Sequence, residues 1–135
     1  METQDQNSIV YIYTTYPNAE EARSIGFSTV KEKLAVSADY WFVNSIYPWK
    51  GTVKEVTQCM VMLSTKKTTS QKLLTYIESQ HPYEVPIIMR CDTSMVNKQY
   101  SLWAESILMN KEPYIMESEK AQKEKESSSV YERLK

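Results

Sequence analysis

The sequence predicts an α+β domain with element order β-α-β-β-α-β and one further helix, on three observations. Short β-branched and aromatic runs alternate with stretches of helical periodicity. Pro17, Gly51 and Pro82 punctuate them, separating one hairpin from two strand-and-helix units. The chain has 135 residues, 41% hydrophobic and 24% charged, which suits one domain with its own core.

Residues 8–16 read SIVYIYTTY, a near-continuous apolar run expected of a strand covered on both faces. Pro17 ends it. Asn18 then stands as an N-cap with Glu21 three residues on, and a helix to about Leu34 carries Ala22, Ile25, Gly26, Thr29, Val30 and Leu34 on one face. Gly26 within a helix costs about 1 kcal/mol against Ala, so close packing on the sheet is the expected reason for it. Residues 35–47 and 52–66 read as two long strands, with 48–51 as their turn. Alternation in the second puts Cys59, Val61 and Leu63 on one face and Met60, Met62 and Ser64 on the other. Thr68, Thr69 and Ser70 are cap candidates for a second helix carrying Leu73, Leu74 and Ile77, which Pro82 stops. Residues 85–91 read as a strand. Tyr100, Trp103, Ala104, Ile107 and Leu108 form the apolar stripe of a short last helix. Residues 1–7 and the charged segment 110–135 have little to bury and are expected to be flexible flanks of a domain at 8–109.

This order is the split β-α-β, ferredoxin-like arrangement. Two helices would cover one face of the sheet. Yet the sheet has no clean polar face, since Tyr11, Tyr13, Tyr40, Trp41, Phe42, Val43, Met60 and Met62 sit on both registers, and a short third helix is too small to cover the second face. Two strands of about 12 residues reach roughly 40 Å, beyond the about 24 Å of a 16-residue helix. Both features call for a second copy of the chain.

The formal net charge is −1, with a pI near 5.9, which argues against nucleic acid. The third strand also lacks the stacking aromatics of an RNA-binding sheet. Two glycines exclude a Gly-rich phosphate loop. No apolar stretch approaches a membrane span, and a cytoplasmic, reducing setting is the expectation. No nucleophile, base and orienting group stand out, so no enzyme is expected.

Five strings occur in order: YTTYPNAEEA, KEKLA, SIYPWKG, HPYEVP and YSLWAESIL, spanning residues 13–108. Together they resemble the CutA-type divalent-cation tolerance family. The resemblance implies a ferredoxin-like homotrimer, not an enzyme, linked to tolerance of copper or another divalent cation. Its fold is similar to trimeric signalling proteins that bind small ligands between subunits, so a small-ligand sensor is the alternative function. The family often places a cysteine linked to copper after the first helix, where this chain has Ser37. An acidic mid-strand position is Gln58 here, and the acid that often follows HPYEVP is Ile87.

Candidate metal ligands are His81, Glu84 and Cys59. The structural readings beside them are a helix-terminal histidine and a buried, inert thiol. Candidate cleft residues are Trp49, Lys50, Tyr83, Tyr100 and Trp103, aromatic walls with a few polar groups. For Tyr100 and Trp103 the competing role is packing the last helix onto the sheet. Trp49 is read as exposed at a turn tip in the monomer and expected to contact a partner chain. Thr14, Thr15 and Asn18 sit where an anion could meet a helix N-terminus, although capping alone explains Asn18.

Overall fold

The computed structural model describes residues 8–109; the flanks 1–7 and 110–135, expected to be flexible, lie outside the described residues. The elements are β1 (Ile9–Tyr16), α1 (Ala19–Lys31), β2 (Ser37–Trp49), β3 (Thr52–Lys66), α2 (Lys67–Gln80), β4 (Ile88–Asp92) and α3 (Lys98–Leu108). The strands form one antiparallel sheet in the order β2-β3-β1-β4. This is the predicted α+β, split β-α-β arrangement.

α1 begins at the predicted cap: Asn18 Oδ1 accepts the Glu21 N–H at 2.9 Å. It ends at Lys31, earlier than Leu34, because Lys33 takes a left-handed φ of 60°. The N–H groups of Leu34 and Ala35 then both donate to the Thr29 carbonyl, which closes the turn. Gly26 has the expected cause. A Cβ there would lie 3.2 Å from Ala38 Cβ on β2.

Three expected boundaries move. Trp49 pairs with Thr52, so the hairpin loop is only Lys50 and Gly51, at φ 49° and 85°. Two successive left-handed residues match the twist of the strands, which lets Pro48 and Trp49 stay in β2. β3 pairs with Ile9 as far as Lys66 and enters α2 with no loop. Lys66 therefore occupies the cap position, and Thr68 to Ser70 lie inside the first turn. β4 starts at Ile88 instead of Val85. β1 offers partners only from Thr14 back to Val10, and Pro86 has no N–H to give a ladder.

α1 and α2 cover one face. Their Ala22, Ile25, Leu73 and Ile77 pack on Ile12, Tyr16, Cys59, Val61 and Leu63. α3 lies on the other face, over one end of it, where Tyr100, Trp103 and Ala104 pack with Ile9, Tyr11 and Val36. That face is thus part-covered within the chain. Tyr100 Oη is hydrogen-bonded to Ser64 Oγ at 2.9 Å, and Ser64 Oγ to Ser37 Oγ at 2.6 Å. Lys66 Nζ, buried with its residue, meets Glu105 of α3 at 3.7 Å.

The rest of the second face stays open. β1 reaches only Cys59 on β3, so 43–49 and 52–58 form an arm that pairs with itself alone. Its exposed Ile46 and Val53 have no covering element. Among the described residues no helix is long and apolar enough to cross a membrane.

Candidate functional site

A cleft of about 520 Å³ lies where the arm leaves the main sheet. Its floor is β3: Gln58 and Met60 point to the open face, two residues apart, as alternation requires. Tyr47 and Trp49 come from β2, and Tyr83, Glu84, Val85 and Ile87 from the segment joining α2 to β4. Trp49 is half-buried in this wall and not free at a turn tip. Lys50 sits beside it, its ammonium 5.5 Å from the Trp49 ring centroid. The Tyr83 hydroxyl donates to Gln58 Oε1 at 2.8 Å and ties the joining segment to the sheet. Burial first, then the neighbouring Tyr47 and Glu21, push the Tyr83 phenol up from its ordinary pKa, so it remains a donor. The cleft is aromatic and apolar with one carboxylate and one amide, and its volume suits a small organic ligand.

His81 holds the near end of the joining segment. The Tyr83 N–H donates to Nδ1 at 3.2 Å, which leaves the proton on Nε2, 3.0 Å from Thr14 Oγ1. The imidazole stacks on Tyr16 at 4.4 Å and 18°. Burial holds its pKa below the ordinary 6.5, against a smaller upward pull from a backbone hydrogen bond at Thr15.

The expected site residues therefore separate within one chain. Trp49, Tyr83 and Glu84 line the cleft, with Lys50 against the Trp49 ring. Tyr100 and Trp103 are at the other end of the sheet, 5.9 Å apart ring to ring, packing α3. Cys59 is fully buried on the helix-covered face, with its thiol pKa raised by burial, and Glu84 lies at the cleft. No three His, Cys, Asp or Glu side chains among the described residues form a metal-binding group. An imidazole with both nitrogens engaged, a protonated thiol buried on the helix-covered face and a carboxylate in the cleft wall do not fit a divalent ion within one chain. Cys91 is exposed on β4, separated from Cys59 by β1, and both thiols are free. Sequence reasoning missed Tyr47 as a wall and noted Gln58 only as a departure. The alternation that placed Met60 on the open face also places Gln58 there.

The family model described as CutA1 divalent ion tolerance protein matches residues 10–107. The divalent-cation tolerance protein CutA of Thermococcus kodakarensis is 31% identical over 99 residues, 73% of this chain and 95% of that protein. The crystal structure of divalent ion tolerance protein CutA1 from Ehrlichia chaffeensis superposes with a TM-score of 0.73 at 27% identity, covering 75% of this chain and 95% of that one. A structure described as the periplasmic divalent cation tolerance protein CutA from Archaeoglobus fulgidus has a TM-score of 0.72 over 74% of this chain and 98% of its own. At 22% identity it speaks for the fold alone.

Proposed function

This chain belongs to the CutA1 divalent ion tolerance family, and on that premise we propose that it is a non-enzymatic, cytoplasmic homotrimer serving tolerance of copper and other divalent cations. The open sheet face carries the assembly reading. Tyr13, Met62 and Met89 lie in one row across it, and Met60 and Trp41 in the next. Trp41 is 41% exposed and Met89 45%. An apolar surface of this kind, continuous with an unsupported arm, is characteristic of an interface. A second copy also satisfies the unpaired edge of β2 or β4.

The role needs no resident ion held by His81, Glu84 and Cys59. The chain's one histidine is committed to holding the joining segment, which supports a binding or scaffolding role over catalysis. A net charge of −1 supports the absence of nucleic-acid partners.

The cleft favours a second reading, a small-ligand sensor whose sites lie at subunit boundaries. Trp49 in its wall provides the discriminating signal. Quenching by copper salts but not by nucleotides supports the tolerance role, and the reverse supports the sensor. Light scattering at micromolar protein, with Cu(II) and then with a chelator, tests the assembly. A mass near three chains of 15.8 kDa in both conditions is expected. A single-chain mass would sink the trimer and the subunit-boundary sites with it.

A further inference from the structure

The floor of the cleft holds two side chains whose hydrogen bonding is incomplete. Thr15 is 6% exposed and Gln58 8%, and both line the cleft. Thr15 lies opposite Met60 in the β1–β3 ladder, so it shares the open face with Met60 and Gln58. The Gln58 amide is half engaged. Its Oε1 accepts the Tyr83 hydroxyl at 2.8 Å, and its Nε2 has no partner among the described residues. The Thr15 hydroxyl has none either. The one unpartnered polar side-chain atom sealed from solvent among the described residues is the Tyr16 hydroxyl, on the helix-covered face. The free Gln58 and Thr15 groups are therefore not sealed, and for side chains this buried the opening is the cleft that both line. Native structures seldom leave buried polar groups unmatched.

These groups define the guest that completes them. The floor offers an amide N–H and a hydroxyl, and one carbonyl oxygen has two lone pairs to accept from both. Tyr47, Trp49, Val85 and Ile87 suit a flat apolar body. Glu84 is the one charged residue of the lining, so an anionic guest meets repulsion and no counter-charge. Lys50 does not line the cleft; its ammonium sits against the Trp49 ring. An ammonium guest would add donors where the free amide already donates. A carboxamide matches both ends, with a carbonyl for the floor and N–H groups for a carboxylate.

We propose that the cleft binds an uncharged aromatic carboxamide, its carbonyl oxygen accepting from Gln58 Nε2 and Thr15 Oγ1, its ring against Tyr47 and Trp49, and its nitrogen donating to Glu84. This rests on the small-ligand reading of the cleft and names the ligand class.

Calorimetric titration of the full chain at pH 7.5 with benzamide, benzoate and benzylamine tests it, since the three share a ring and differ in charge. Benzamide is expected to saturate and to bind at least about tenfold tighter than either charged compound. Gln58→Glu keeps an oxygen for the Tyr83 hydroxyl but removes the free N–H, and should weaken benzamide about tenfold or more. Thr15→Val keeps the shape of the side chain. It should weaken benzamide severalfold without lowering the melting temperature of the free protein, because the deleted hydroxyl has no partner there. If Gln58→Glu folds poorly, Thr15→Val carries the test. Wild-type affinity for benzamide in either folded variant would overturn the proposal. Tighter binding of benzoate or benzylamine would overturn the ligand class and leave the cleft a small-ligand site. No saturable heat with any of the three would overturn both.

Discussion

His81 couples the fold to pH through one group. Its imidazole is neutral in the folded chain, with pKa below the 6.5 of a free side chain. Below that ordinary value the unfolded chain binds a proton that the folded chain resists. Stability from this group is therefore complete above pH 6.5 and is lost as pH falls toward the folded pKa. Protonation would also aim an Nδ1–H at the Tyr83 N–H, which now donates to it. Denaturant midpoints should fall from pH 7.5 to 5.5. His81→Gln should be less stable by about 1–2 kcal/mol at pH 7.5, from lost stacking and hydrogen bonding, and should show a flatter profile over that range. Because this is the chain's sole histidine, no other imidazole blurs the comparison. An unchanged slope in His81→Gln would reject the assignment.

The hairpin is the element whose sequence conflicts most with its geometry. Lys50 holds a φ of 49°, in the left-handed region that non-glycine residues avoid, before Gly51 at 85°. Asn tolerates that region better and forms the favoured two-residue turn with Gly. Lys50→Asn should stabilise the protein by about 0.5–1 kcal/mol, read from chemical denaturation. A loss of stability would mean that the Lys50 ammonium over Trp49 outweighs the backbone term. α3 shows the opposite relation, since pattern and structure agree. Its stripe buries Ala104 and packs Tyr100 and Trp103, while Glu105 reaches the buried Lys66.

At the scale of the whole molecule, the question is what covers the open face. α3 hides the end around Ile9 and Tyr11. Trp41, Met60, Met62 and Met89 lie beyond it. Trp41→Glu changes a side chain 41% exposed in one protomer, so the fold of a single chain should change in stability by less than about 1 kcal/mol. A charge buried between copies is far more costly. The expected result is a circular dichroism spectrum like the wild type and a light-scattering mass that drops from three chains toward one. A mass that stays at three chains would move the interface elsewhere on the molecule.

Periodicity determined most of the architecture. The two faces of β3, the cap at Asn18 and the stripe of α3 follow from side-chain spacing, which any chain of this pattern must obey. The family was legible for a similar reason, because its motifs are local strings. Boundaries at β4 and α2 were not, since a strand ends where its partner ends, and β1 belongs to a distant part of the sequence. The candidate site divided along the same line. Trp49, Tyr83 and Glu84 line the cleft, with Lys50 against the Trp49 ring, but Tyr100 and Trp103, equally aromatic, went to the opposite end with α3. The orphan hydroxyl of Tyr16 left no trace in the sequence, where Tyr16 reads as one more apolar strand residue. Sequence alone determined which side chains face the same way. Tertiary structure decided which of them meet and which are left unpaired, because contacts and hydrogen bonds between distant segments depend on register and packing that no local spacing encodes.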